Sequence, residues 1–515
     1  MTASTGAAAS SSVRELPAGR WPKAGTWTIL WATALLTRLA AAFLLPNAEL
    51  DGYSYAETIS SYSASFVAGQ FHSTDLFGFW LPLFQFVSAI LNIGIGDSLL
   101  AGKVVSAFCG AVSCVLVFAI TEKLTRRPGF AWLAFALILS NPLHILYSAA
   151  AMTDVPFGCL VLASAWFALQ DRWIGAAVLA ALAESVRLEG WIFVLLLPSL
   201  QFVRQRRVSI LVCAILVLPV VSWFLISYAA TGDSLAYFGQ RARYQGSYLD
   251  FHPRRRGFDF ADIRRDLVYF LIGANQLVCI AGVVAVGVLL VRGLRRPDDS
   301  LWKPAIVAAY AGGLLGLILF AYVTKGQPVL FPRYALFLFA LGLPLFAWLL
   351  QSFTVNFKPL WLVRLTILAI LAAFLQQSYR QLPIVTKVLG DFRAQQRVTE
   401  TLLSELGAVG DSAARCFTDD VAVRVLSHLP RERFLRSETV PSAAAQDAGA
   451  FESYLRGQHV THLVFFRTEN SLPVTLFPEL GRSAGTDTGR FQFVTVAPSD
   501  FGPAIWLYRF ADTRQ

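Results

Sequence analysis

Apolar residues gather along this chain into runs of about 20, the length an α-helix needs to cross the hydrocarbon core of a bilayer, and short Arg/Lys-bearing loops separate them. The runs predict spans near 27–46, 98–120, 129–146, 156–169, 173–186, 191–203, 208–229, 267–291, 304–323, 334–350 and 361–378, about eleven helices in all. The stretch 79–95 is too short and interrupted for a span and reads as an amphipathic or re-entrant helix at the outer surface. Lys and Arg mark the cytoplasmic side. Arg126 and Arg127, the cluster Arg204, Arg206 and Arg207, the cluster Arg292, Arg295 and Arg296 with Lys303, and Lys358 then all fall inside. That parity leaves the loops 47–97 and 230–266 and the tail outside.

Beyond residue 378 the pattern shifts to short alternating elements. Helices are expected over 398–406 and 450–455 and strands over 415–418, 462–466, 491–496 and 505–510. The fold class is therefore a polytopic α-helical membrane protein: a transmembrane domain over 27–378 and a small extracytoplasmic α/β domain over 379–515. Residues 1–26, rich in Ala and Ser, read as a disordered cytoplasmic tail before a retained signal anchor.

Composition agrees: 56% of the 515 residues are hydrophobic, 15% are charged, and the mean hydropathy is +0.55. The net charge of +10 sits largely in orienting loops, which excludes nucleic acid as the expected partner. Five of six cysteines lie in apolar runs, so no disulfide framework is legible. The excess of Arg over Lys fits a GC-rich bacterial genome and an inner-membrane protein facing the periplasm.

Chemistry concentrates on the outer side. In NAELDGYSYAE (47–57), Asp51 can cap a helix through the amide of Ser54 or serve as a general base. In AMTDVPF (151–157) Thr153 or Asp154 can cap a helix opening at Val155 and Pro156, and Asp154 can also be a second working carboxylate. ESVRLEGW (184–191) carries Glu184, Arg187 and Glu189; Glu184 and Arg187 can neutralise one another at i, i+3, or serve a site, as ionisable groups at membrane depth usually do. The loop 230–266 holds Arg241, Arg243, Arg254, Arg255 and Arg256, an arginine density suited to phosphate or lipid head groups, or a salt-bridged solvated loop. TKGQPVLFPRY (324–334) brings Lys325, Arg333 and Tyr334 to the rim of a span. Arg38 and Lys103 are isolated cations in spans that either find partners or snorkel to lipid phosphate, the latter expected more of Lys103. No Walker-type loop or Asp-x-Asp pair occurs, and no histidine spacing suits a metal, although a divalent ion is left open.

Together ELDGYSYAE, TDVPF, RLEGW and FPRY, in this order and on one side of the membrane, resemble the GT-C superfamily of integral-membrane glycosyltransferases. The likeness is to the family-39-like branch, which includes protein mannosyltransferases and the lipid A aminoarabinose transferase. It implies a sugar donor carried on polyprenyl phosphate, a lipid, glycan or protein acceptor, membrane lipids as surroundings, and the first-loop aspartate, here Asp51, as base. Gly52, Tyr53, Ser54 and Tyr55 stand where the aminoarabinose branch often has a basic residue, so the sugar is not implied. A secondary transporter or lipid flippase is the rival reading; it would favour repeated halves, and no half-to-half repeat is evident.

Overall fold

Helix-stopping residues divide the apolar runs. Gly96, Arg126, Arg206 and Gly232 each close a helix in the left-handed conformation, and Pro128 and Pro142 open the helices they begin. The computed structural model describes residues 24–251, 260–273, 275–295, 301–324, 330–356, 360–409, 414–466, 471–485, 487–488, 490–498 and 504–511. The helices are α1 (Ala24–Leu44), α2 (Leu50–Val67), α3 (Leu83–Ile95), α4 (Ser98–Thr125), α5 (Pro128–Leu139), α6 (Pro142–Ser148), α7 (Asp154–Ala168) and α8 (Trp173–Glu184). There follow α9 (Phe193–Gln205), α10 (Ile210–Thr231), α11 (Ala236–Phe251), α12 (Phe260–Gly273), α13 (Gln276–Arg295), α14 (Trp302–Val323), α15 (Leu336–Asn356) and α16 (Leu360–Val409).

Among the described residues five helices are long and apolar enough to cross a membrane, or seven if each of two bent pairs is one span. The chain is a multi-pass membrane protein. The short α3, α7 and α8 are apolar but, at 13, 15 and 12 residues, below the usual length of a span.

Three differences from the sequence expectation have local causes. The run 129–146 is two helices, α5 and α6, bent by 63° where Asn141 caps His144 and Pro142 cannot continue the hydrogen-bond ladder. Arg38 fills the break: its guanidinium donates to the carbonyls of Ile138 at 3.0 Å and Leu139 at 3.1 Å and meets His144 Nδ1 at 3.0 Å. Lys103 likewise donates to the Leu45 carbonyl just beyond α1 at 2.7 Å, so protein carbonyls, not lipid phosphate, hold both cations. The run 267–291 is divided between α12 and α13, which meet at 92°. Finally, the expected span 361–378 and helix 398–406 are one helix of 50 residues, α16, because the only proline within it, Pro383, fails to stop it.

The far end of α16 builds the C-terminal sheet's first layer. Strands β1 (Arg415–Thr418), β2 (Phe434–Leu435), β3 (Val460–Phe466), β4 (Phe491–Ala497) and β5 (Ile505–Phe510) lie in the order β2-β1-β3-β5-β4, the first three parallel and the last two joined antiparallel. Alternation sorts the faces: Cys416, Val464 and Leu507 pack on Val398 and Leu402 of α16, whereas Phe417, Leu463 and Tyr508 pack on Phe451 and Leu455 of the short helix Ala448–Gly457. The remaining helices are α17 (Val421–Leu426), α18 (Ala448–Gly457) and α19 (Leu472–Leu476). Helix α17 rests against α2, where Arg424 grips Glu57 with two bonds of 2.7 and 3.1 Å and Arg431 donates to the Glu57 carbonyl at 2.7 Å.

Candidate active site

The first outer loop is fixed before α2 begins. Asn47 is buried, donates from Nδ2 to the Glu49 carbonyl at 2.6 Å and accepts the Ala151 amide at 2.9 Å, which ties the loop to the start of TDVPF. Gly52 is required there, since a Cβ would strike the Asn47 amide group. Helix α2 then opens at Leu50 with Glu49 as its N-cap, and Asp51 is already inside the first turn. It therefore cannot cap Ser54 as expected. Its carboxylate turns outward to Arg333, with Nη2 to Oδ2 at 2.8 Å.

Helix α7 opens in the same way at Asp154, with neither Thr153 nor Asp154 capping through a side chain. Asp154 is fully buried and accepts Arg187 Nη1 on Oδ1 at 2.8 Å. Arg187 also grips Glu189 through Nε at 3.2 Å and Nη2 at 2.7 Å. The expected pairing of Arg187 with Glu184 does not form, because the extended backbone at Arg187 (φ −145°) carries its side chain away from α8.

The 3-10 turn Pro332–Ala335 completes the group. Arg333 bridges Asp51 and, at 3.5 Å, Glu49, which also accepts the Tyr147 hydroxyl at 2.6 Å. The Tyr334 ring lies 5.1 Å from the Arg187 guanidinium and 5.4 Å from that of Arg333, so one aromatic face separates and steadies two cations. Arg241 on α11 donates to Tyr237 at 3.1 Å and lies 5.8 Å from the Phe79 ring.

These side chains line a cavity of about 600 Å³. Asp51, Arg187, Glu189, Arg241, Arg333 and Tyr334 all reach it, although they are spread over 283 positions of sequence, and Asp154 stands directly behind Arg187. Arg243 is exposed on α11 and does not line the cavity. Arg254, Arg255, Arg256 and Lys325 lie outside the described residues. Glu49, Tyr55, Trp80 and Tyr237 line it without having been singled out from sequence, and Thr153, expected only as a cap, lines it too. Of the first four only Glu49 carried a signal, as a second acid two residues before Asp51.

The electrostatics differ among the groups. Burial raises the Glu49 carboxyl above its usual range, and Arg333 opposes the shift. Burial also acts to raise Glu189, but the doubly bonded Arg187 outweighs it and holds that carboxyl low. Arg187 and Arg333 each serve two carboxyl groups, whereas Arg241, with five N–H donors, makes one hydrogen bond among the described residues. Arg241 is thus the cation here with most capacity for an incoming anion. Among the described residues no group of three or more His, Cys, Asp or Glu side chains is placed to hold a metal ion.

No protein-family model matches the chain. No curated protein matches it either. Among solved structures, ArnT from Cupriavidus metallidurans bound to undecaprenyl phosphate is similar with a TM-score of 0.57 at 12% identity, over 95% of this chain and 99% of that one. The apo state of the same protein gives 0.55 at 11% identity, over 94% and 98%. The archaeal oligosaccharyltransferase AglB from Archaeoglobus fulgidus, in complex with an inhibitory peptide and a dolichol-phosphate, gives 0.49 at 11% identity, over 96% and 75%. At such identities the shared property is the fold, which is of the GT-C type.

Proposed function

We propose that this chain is a glycosyltransferase that moves a sugar from a polyprenyl-phosphate-linked donor to an acceptor hydroxyl at the outer face of a bacterial inner membrane. The reading is supported most by the cavity itself. One carboxylate, Asp51, is partly open to it, two arginines are already bound by acids, and a third, Arg241, retains donors for a phosphate. The similar fold of ArnT, crystallised with undecaprenyl phosphate, supports the same donor class.

The reaction is a single displacement. The acceptor oxygen forms a bond to the anomeric carbon, the bond from that carbon to the phosphate oxygen breaks, and polyprenyl phosphate leaves with the electron pair. Asp51 takes the hydroxyl proton, oriented by Arg333, while Asp154 acts from behind by fixing Arg187. Arg241 meets the growing charge on the leaving phosphate, a contribution of about 3 kcal/mol for a preorganised donor of this kind. Glu189 holds Arg187 in place and Tyr334 keeps the two guanidinium groups apart. Arg243, Arg254, Arg255, Arg256 and Lys325 belong to the outer loops that would meet the lipid phosphate surface.

The test is to incubate purified protein with a panel of labelled polyprenyl-phosphate sugars and identify by mass what acquires the label. Transfer that falls at least ~100-fold in a folded Asp51→Asn variant is the expected result. Full activity in that variant removes Asp51 as base, and uptake of the lipid without any product removes the enzyme reading in favour of a carrier.

A further inference from the structure

The 600 Å³ cavity has two unlike walls. From Asp51 one line of contact runs through Arg333 and the Tyr334 ring to Arg187 and then Glu189, on which the charge of Arg241 acts. The other line carries no charge. Tyr55 stands one turn after Asp51 on α2, and its ring is 4.6 Å from that of Trp80. Trp80 in turn meets the Phe79 ring at 5.1 Å, and Phe79 lies 5.8 Å from the Arg241 guanidinium. The two lines also touch at Thr153, whose hydroxyl is 3.4 Å from both the Tyr55 hydroxyl and Arg187 Nη1. Asp51 and Arg241 are thus joined twice, once by ions and once by aromatic rings.

Trp80 is the middle of the aromatic row, and it is open to the cavity. Tyr55 is 3% exposed, packed between Trp80 and the edge of Phe84, whereas Trp80 lines the cavity and is only half-buried. The segment that carries it forms no helix or strand, yet it is anchored on both sides. Before it, Phe77 stacks on Trp223 at 5.8 Å. After it, Leu81 is buried and the Leu83 amide donates to the Ser185 carbonyl at 3.1 Å. Two rings are therefore held at the cavity wall by contacts made on either side of them.

In a single displacement the sugar ring sits between the base and the leaving phosphate, so it meets whatever joins Asp51 to Arg241. A sugar is itself two-sided. Its hydroxyls need hydrogen-bond partners, which arginines and carboxylates supply, while its ring carbons turn a patch of weakly positive C–H bonds to one face, which suits the electron-rich face of an indole. We propose that Trp80 is the platform for the donor sugar, which lies with its C–H face on the indole and its hydroxyls toward Arg187 and Glu189. The class of sugar follows: a pyranose that presents three or more C–H bonds on one face. The inference rests on the reading of this cavity as a donor site, and it adds the residue that recognises the sugar as distinct from the phosphate or the lipid.

The test is a binding competition on the full chain in nanodiscs. Labelled undecaprenyl methyl phosphate, a diester with the charge of the donor and no sugar, is displaced by its unlabelled form, by undecaprenol, and by undecaprenyl phosphate esters of glucose, galactose, mannose and arabinose. At least one sugar ester is expected to bind about ten-fold more tightly than the methyl ester. That gain should fall about five-fold or more in Trp80→Leu and about two-fold in Trp80→Phe, the scale of one aromatic contact, while affinity for the methyl ester stays within about two-fold of wild type. A merely structural role for Trp80 would move both affinities together. A sugar gain that survives intact in the folded variants overturns the proposal, with Trp80→Phe deciding if Trp80→Leu does not fold. So does a wild-type chain that binds no sugar ester more tightly than the methyl ester. A methyl ester that binds no better than undecaprenol removes the donor reading itself, and the two failures are thereby told apart.

Discussion

If the proposed function holds, replacing Arg424 by glutamine should reduce transfer, although Arg424 does not line the 600 Å³ cavity. Arg424 on α17 and Glu57 on α2 are joined by two charge-assisted bonds, with side chains only 11% and 24% exposed. A pair so shielded is worth more than a surface ion pair, and a coupling of about 2 kcal/mol is expected from a double-mutant cycle. The functional lever is geometric. Glu57 lies less than two turns from Asp51 along α2, roughly 9 Å by the helical rise, and Asp51 must be held to a fraction of an ångström to accept a proton. Loosening the grip should therefore lower kcat about ten-fold or more with little change in donor KM, because the phosphate contact proposed for Arg241 is untouched. The assay is steady-state transfer and thermal unfolding for Arg424→Gln, Glu57→Gln and the double variant. The double variant should be no worse than the worse single one. Effects that multiply in the double variant, or wild-type kcat in Arg424→Gln, would refute the reasoning.

Three further outcomes follow from the same geometry. Arg187→Met leaves the fully buried Asp154 and its neighbour Glu189 without their shared cation, so the protein should lose roughly 3–5 kcal/mol and fail to yield a folded preparation; a melting temperature equal to wild type contradicts this. Arg241→Gln should raise the KM for donor about ten-fold and weaken its salt dependence, read from transfer rates at several ionic strengths, and an unchanged KM excludes Arg241 as a phosphate ligand. Asp420, the buried cap of α17, is pushed up to about 6 by burial, against the amides of Ala422 and Val423. The folded chain thus keeps a proton that the unfolded chain releases near 3.8, so the stability this group confers is full below that value and is lost as pH rises through about 6. Asp420→Asn keeps a cap acceptor and should flatten that slope by about 3 kcal/mol over the interval, measured as the difference between wild-type and variant unfolding free energies; parallel curves would remove the assignment.

Much of the site was legible because its groups are costly where they stand. Asp51, Asp154, Arg187, Glu189 and Arg333 are ionisable residues at the ends of apolar runs, and topology alone assigned them one side of the membrane. Their partnerships were not legible, since Asp51 and Arg333 are 282 residues apart and Asp154 and Arg187 33 apart. The capping expectation for Asp51 failed through a small shift of the helix start, to which a cap is sensitive and a hydrophobic pattern is not. Arg38 looked like an anomaly in a span only because the open carbonyls at the α5–α6 break, which it satisfies, cannot be seen in hydropathy. In the tail, alternation located four of the five strands; β2, with two residues, offers too little pattern to detect.

Helix α16 has a consequence for how the molecule can be cut. At 50 residues it is about 75 Å long, and one unbroken rod serves as a wall of the membrane bundle and as a layer of the sheet domain. A chain severed near residue 378 would leave Val398, Leu402 and Leu406 with the sheet but carry away Val388 and Phe392, which pack in the core of the bundle, so each piece would expose a face the other had covered. The tail is therefore no appendage on a tether. Its position is set by a helix it shares with the bundle, and its hold on Glu57 ties it a second time, to the helix that carries Asp51.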